Sequence, residues 1–304
     1  MGMARWDPAD WDTYVSKTST KSAYDIFARK MHSSLDPKNI RFRESRDSDL
    51  NPLSTPIIVA IDDTGSMGML AENLIRKGLG VMIEEILDRK PVTDPHVMCM
   101  AVGDAWCDSA PLQVTQFESD IRLADQLANF FIEGGGGGNE YESYNLPWFF
   151  AATRTRCDAF TKRNKKGYLF TVGDEPPPPT LLAKHANRYL GASLQKDLST
   201  RELLAMVSKN WEVFHIMIEE GSYYRGGSAV TKKAWKEILG QRAIGLSNHE
   251  NLAELIVSTI EVSEGADMTK VAGSWSGGTS LVIRKSLNAL TKNVVASGRG
   301  VTRL

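Results

Sequence analysis

The sequence is short of cysteine, of net charge and of long apolar runs, and each shortage excludes something. Its three cysteines, Cys99, Cys107 and Cys157, are few and odd in number for a chain of 304 residues. None lies in a Cys-x-x-Cys pair, and no cysteine–histidine cluster has zinc spacing, so neither a disulfide scaffold nor a zinc module is expected. A formal net charge of −1 gives no general attraction for polyanions, and nucleic acid is not expected as a partner. No apolar run approaches the roughly 18 residues a spanning helix needs, so no membrane segment is expected. Residues 1–7, Met-Gly-Met-Ala-Arg-Trp-Asp, lack the apolar core of a signal peptide. The one glycine-rich run, 134–138, has no Gly-Lys-Ser/Thr after it, so it is not a Walker loop. These absences point to a soluble protein of a reducing compartment, with a cytoplasmic location expected.

What is present is a globular composition, 42% hydrophobic and 24% charged, enough for one large domain with extensions or two small domains. The stretch 56–70 organises it. Residues 57–61 (Ile-Ile-Val-Ala-Ile) read as a strand buried on both faces, as in parallel sheets. The run stops at Asp62, and Asp63, Thr64, Gly65, Ser66 and Gly68 follow before a helical pattern begins. In an open α/β sheet, ligands bind at the carboxyl ends of the strands. Asp62, Thr64 and Ser66 alternate in sequence and offer one carboxylate and two hydroxyls, a donor set that suits hard Mg²⁺; Mn²⁺ or Ca²⁺ would be substitutes. A structural turn with Ser66 or Thr64 as helix N-cap is the plain competing reading. A phosphotransferase with a nucleophilic aspartate, as in haloacid-dehalogenase-like enzymes, is another. Those enzymes carry a second aspartate where Thr64 stands, which argues against them.

Along the chain, residues 1–52 read as an N-terminal extension. Its aromatics, Trp6, Trp11, Tyr14, Tyr24 and Phe27, are expected to pack on the main domain, and a mixed-charge, solvated linker is expected over 41–49. Further strands are expected at 96–102, 112–117 (at a sheet edge), 167–172, 211–218 and 243–246. Helices are expected at 66–90, 120–131, 146–160, 231–239 and 250–261, with another opened by the capping box at 199–202. His215, inside a strand, reads as a core residue. The glycine run 134–138 is either a linker or a loop whose backbone must pass close to something. The prolines 176–179 bar a helix there and stiffen a loop. Residues 53–265 form the main domain, and 266–304 a C-terminal tail. Strands separated by helices predict an α/β fold with a doubly wound, mostly parallel sheet.

Ile61-Asp62-Asp63-Thr64-Gly65-Ser66-Met67-Gly68 after a buried strand resembles the opening motif of the von Willebrand factor A family, Asp-x-Ser/Thr-x-Ser. In that family the motif begins a metal-ion-dependent adhesion site. The glycine run and the residues after it resemble the Gly-Gly-Gly-Asp-x-Pro-Glu loop of some A-type domains, which implies Asn139 and Glu142 as the second metal contact, with Asn139 in the aspartate position. Gly173-Asp174 resembles the third motif with the two residues reversed, and implies Asp174 as a further ligand. The resemblance thus implies a metal held by Asp62, Thr64, Ser66, Asn139, Glu142 and Asp174. It also implies a protein partner that completes the coordination with an Asp or Glu. Intracellular members suggest an adaptor for an AAA+ ATPase or a component of a large assembly. The alternative is a metal-dependent phosphohydrolase or phosphotransferase, although no recognisable catalytic motif accompanies the acidic residues.

Overall fold

The apolar run at 57–61 lies inside a six-stranded sheet. In the computed structural model, which describes residues 4–134, 141–288 and 290, the strands are β1 (Thr55–Asp62), β2 (Pro95–Val102), β3 (Leu112–Val114), β4 (Gly167–Gly173), β5 (Trp211–Ile218) and β6 (Ala243–Leu246). They lie in the order β6-β5-β4-β1-β2-β3. All neighbours are parallel except β3, which runs antiparallel to β2 at the edge. The expected doubly wound, mostly parallel α/β sheet is therefore the observed one.

Every residue of β1 is buried. Ile57, Val59 and Ile61 enter one core layer, and Ile58 and Ala60 the other, as the two-residue period of a strand requires. The first layer holds the helices Leu79–Arg89 and Leu252–Ser263, the second the helices Asn145–Arg154 and Thr200–Val207. From β1 the chain moves to β2 on one side and later returns to β4 on the other. The crevice at the carboxyl ends of β1 and β4 is thus the point where the strand order reverses, the usual place for a ligand in such sheets.

Several elements differ from the sequence reading. The helix expected over 146–160 ends at Arg154, and Thr155–Cys157 form a short strand parallel to Arg43–Ser45 before the helix Asp158–Arg163 resumes. Arg154 is held there by its guanidinium, which donates to the carbonyls of Pro37 and Ile40 at 2.9 and 2.6 Å. The stretch 41–49 is accordingly no solvated linker. Arg46 pairs with Asp158 at 2.8 Å and Arg163 with Asp47 at 2.7 Å. The helix expected from 231 begins nine residues earlier, in Ser222–Leu239, and Ala183–Leu190 is a helix the sequence reading lacks. The long helix after β1 carries a π-helical turn at Leu74–Gly78. The capping box at Ser199 and Glu202 is formed. Trp6, Trp11 and Phe27 are buried in the first core layer, as are Val271, Ile283 and Leu287 of the helices Met268–Ser274 and Gly277–Leu287.

Asp47 fastens the N-terminal arm. Its carboxylate accepts from the Ser54 amide and hydroxyl, from Arg163 and from Lys162. Burial acts to raise its pKa, but the bonds from Arg163, Ser54 and Lys162 outweigh that and hold it well below the usual carboxylate range. A depressed carboxyl stabilises the fold above its unfolded pKa of about 4 and loses that contribution as pH falls further. Asp47→Ala is expected to cost about 1–3 kcal/mol at pH 7. Urea melts of the two proteins should show that gap narrowing below pH 4; an equal gap at pH 3 and pH 7 would contradict the charge-based account.

Candidate metal centre

Asp62 is the last residue of β1, and its side chain is fully buried. One carboxylate oxygen, Oδ1, accepts from the Thr64 amide at 2.9 Å and the Thr64 hydroxyl at 2.6 Å. This is an aspartate turn, in which the side chain bonds its own backbone two residues on. The other oxygen, Oδ2, accepts from the Tyr144 phenol at 2.7 Å. Tyr144 is itself buried, edge-on against the rings of both His215 and Trp235. His215 stacks on Trp235 with ring centres 3.6 Å apart, and its Nδ1 lies 2.9 Å from the Thr171 hydroxyl. It is the core residue expected, and burial holds its pKa well below the ordinary value.

The reversed Gly-Asp order at the end of β4 has a steric cause. A Cβ on Gly173 would lie 2.0 Å from the Tyr144 hydroxyl and 2.8 Å from Asp62 Oδ2. Only glycine leaves room for the Tyr144–Asp62 bond. Asp174 follows and turns to the start of the helix Ser222–Leu239, where its Oδ2 accepts from the amides of Tyr223 and Tyr224 at 2.9 and 3.4 Å. That bond caps the helix and accounts for its early beginning. Gly221 admits the carboxylate, since a Cβ there would lie 2.2 Å from it.

Glu142, in the loop before the helix Asn145–Arg154, is 2% exposed, and its Oε2 has no hydrogen-bond partner among the described residues. Glu175 also has an unpartnered buried oxygen. Burial raises the Glu142 carboxyl well above the ordinary range, helped by the charges of Asp62, Glu175 and Asp104. Burial likewise raises Glu175, to about 8, with Asp62, Asp174 and Asp104 adding to it. Burial is the main cause for Asp62 too, and Asp174 adds to it. Asp63 is raised by burial and then by Asp62 and Asp108. The structure thus gathers carboxylates at the ends of β1 and β4 whose negative charges oppose one another.

Of the residues expected at the site, Asp62 and Thr64 are hydrogen-bonded to each other, Glu142 and Asp174 stand near enough to Asp62 for the charges to act on one another, and Asp174 Oδ2 is already engaged by the Tyr223 and Tyr224 amides. Ser66 has its backbone in the 3-10 turn Gly65–Met67; its side chain and the whole of Asn139, with glycines 135–138, lie outside the described residues. Sequence reasoning missed the part played by Tyr144. The only signal was its place in the polar-aromatic stretch just before a helix. Among the described residues, no three His, Cys, Asp or Glu side chains stand close enough to enclose a metal by themselves. The donors are hard oxygens, two of them buried carboxylate oxygens (Glu142 and Glu175) with no donor among the described residues, and Thr64 adds a hydroxyl. The set fits Mg²⁺, which accepts few protein ligands and keeps water for the rest, better than zinc.

No protein-family model matches the sequence, and no curated protein matches it. Solved structures do. The pilus adhesin SpaC from Lactobacillus rhamnosus GG, in its open conformation, matches 72% of this chain at a TM-score of 0.45 and 8% identity, and the chain spans 31% of that protein. A von Willebrand factor type A protein from Catenulispora acidiphila matches 71% at a TM-score of 0.37 and 14% identity, with 44% of that chain covered. The von Willebrand factor domain of the type V pili tip protein Mfa5 from Porphyromonas gingivalis matches 71% at 0.40 and 9%, with 97% of that chain covered. The chain therefore spans less than half the length of the first two. The likeness is one of fold, and this chain's own strand order carries the fold assignment. Among the described residues no helix is long and apolar enough to cross a membrane.

Proposed function

We propose that this chain, a von Willebrand factor A-like fold, is a metal-dependent protein-binding module whose partner supplies an Asp or Glu. One observation carries the reading: Glu142, buried beside Asp62 and hydrogen-bonded by Thr64, keeps one carboxylate oxygen with no donor among the described residues. A buried anionic group without a partner is costly, and a divalent cation answers that cost for several carboxylates at once. The cation, when bound, supplies a coordination position for a carboxylate from outside. Asp62, Thr64 and Ser66 would hold it from the β1 end, Asp174 from the β4 end, and Glu142 and Asn139 from the loop between them. Tyr144 fixes the Asp62 rotamer, and the Asp62–Thr64 turn fixes the loop. Three unpaired thiols support a reducing, cytoplasmic setting, where an adaptor for an AAA+ ATPase or a part of a large assembly is the role in view.

Calorimetric titration with MgCl₂ tests the reading. Wild type is expected to bind one ion, and Asp62→Asn to bind at least tenfold more weakly. Asn keeps the shape of the side chain and an oxygen for the Thr64 bonds, and it removes one carboxylate from the crowded group; its amide nitrogen takes the place of Oδ2, so it can donate to the Tyr144 hydroxyl but no longer accept from it. Relief of the crowding offsets the lost phenol bond, and the metal-free variant should stay within about 2 kcal/mol of wild type. Equal Mg²⁺ affinity in the two proteins would show the site to be misassigned. Hydrolysis of a chromogenic phosphate ester with Mg²⁺ or Mn²⁺ is expected to stay at the buffer rate.

A further inference from the structure

We infer that the partner's carboxylate is flanked in its own chain by a large apolar side chain, aromatic or long aliphatic, which fills a pocket beside the candidate metal centre. The inference rests on the metal-dependent reading above and names the kind of partner it admits. The pocket has a volume of about 420 Å³, within the roughly 300–1,000 Å³ of ligand pockets. Trp106, Tyr141, Glu142, Pro178, Leu182 and His185 line it. Glu142 belongs to both places. The residue whose buried side chain carries the orphaned oxygen near Asp62 also lines this pocket. An occupant of the pocket is therefore a neighbour of whatever reaches the metal.

The walls are mostly apolar, and they are held in position. Trp106 is 61% exposed, a large apolar surface that the described residues leave mostly uncovered. Its ring is nevertheless fixed on two sides. The Lys184 ammonium lies 4.0 Å from the ring centre, and the His185 ring meets it edge-on at 4.9 Å. Pro178 and Pro179 stiffen the facing wall, because proline fixes φ. An exposed tryptophan that is ordered before binding loses little entropy on contact, which is how interface anchors act. Lys184, at the Trp106 lip, gives the rim a positive charge that suits an acidic segment. The occupant is thus a short acidic and apolar peptide segment of a protein.

The test uses the full chain in Mg²⁺ and a phage library of random peptides with one fixed aspartate, eluted with EDTA. Peptides recovered on wild type should carry Phe, Trp, Leu or Met within two positions of the aspartate. On Trp106→Ala, aspartate-dependent, EDTA-eluted peptides should still be recovered, without that bias. A synthetic copy of the best peptide should bind wild type at least tenfold more tightly than its apolar-to-Ala analogue, and Trp106→Ala should bind the two alike. If Trp106→Ala fails to melt like wild type, His185→Ala on the same pocket takes its place. Aspartate-dependent, EDTA-eluted peptides with no neighbouring apolar bias would overturn the inference and leave the metal-dependent reading standing. Recovery of no EDTA-eluted peptide would overturn both.

Discussion

Gly173→Ala is expected to destabilise the protein by about 3 kcal/mol or more and to abolish Mg²⁺ binding. The added methyl would stand 2.0 Å from the Tyr144 hydroxyl and 2.8 Å from Asp62 Oδ2, distances no side chain tolerates. Forcing such an atom into a packed interior costs roughly 1–3 kcal/mol. Pushing the phenol away also takes a hydrogen bond from a fully buried carboxylate, at roughly another 1–3 kcal/mol. A domain stable by several kcal/mol still folds after such a loss, so urea melts will resolve it. The mechanism makes a sharper claim through a double-mutant cycle. In Tyr144→Phe the nearest clashing atom is already gone and the bond is already lost. Gly173→Ala should then cost at least about 1 kcal/mol less than it does in wild type. If the two changes add within about 0.5 kcal/mol, the glycine is not there for the sake of the phenol.

That contact shows where sequence reading stops. Asp62 and Asp174 were legible because each follows an apolar run long enough to be a buried strand, and a polar residue that ends such a run must sit at the strand's carboxyl end, where the sheet opens to a crevice. The six strands were legible for the same reason. Tyr144 was not, because its bond to Asp62 joins residues 82 positions apart, and no local pattern encodes that. The first turns of the helix Ser222–Leu239 were missed on similar grounds. Residues 222–230 include Gly226 and Gly227 and have weak helical propensity, and the helix carries non-helical backbone at Gly227. Its start is fixed by Asp174 from another strand end. The break after Arg154 likewise depends on the arm strand Arg43–Ser45, more than a hundred residues earlier. Local propensity found the six strands of the main sheet and several of the helices, although not Ala183–Leu190 or the strand Thr155–Cys157, and long-range polar contacts set some of their ends.

The same gathering of carboxylates makes the metal-free protein sensitive to pH in a direction opposite to Asp47. Asp62, Asp63, Glu142 and Glu175 all have folded pKa values raised by burial. Unfolded, each titrates near 4. Between that value and about 8, where Glu175 titrates in the fold, the native state binds more protons than the unfolded one. Stability must then fall as pH rises across that window, by about 1.4 kcal/mol per pH unit for each extra proton held. Asp47 contributes nothing to the slope there, since its carboxyl is ionised in both states above about pH 5. Mg²⁺ reverses the trend, because a cation binds the ionised form and must displace those protons. The stabilisation by a fixed Mg²⁺ concentration should therefore grow from pH 5.5 to 8.5, and it should be far smaller in Asp62→Asn. Thermal melts at pH 5.5, 7.0 and 8.5, in EDTA and in Mg²⁺, measure both slopes. A Mg²⁺ increment that stays constant over this range would mean that these carboxylates do not share the ion, and the cation would then have to be sought elsewhere on the chain.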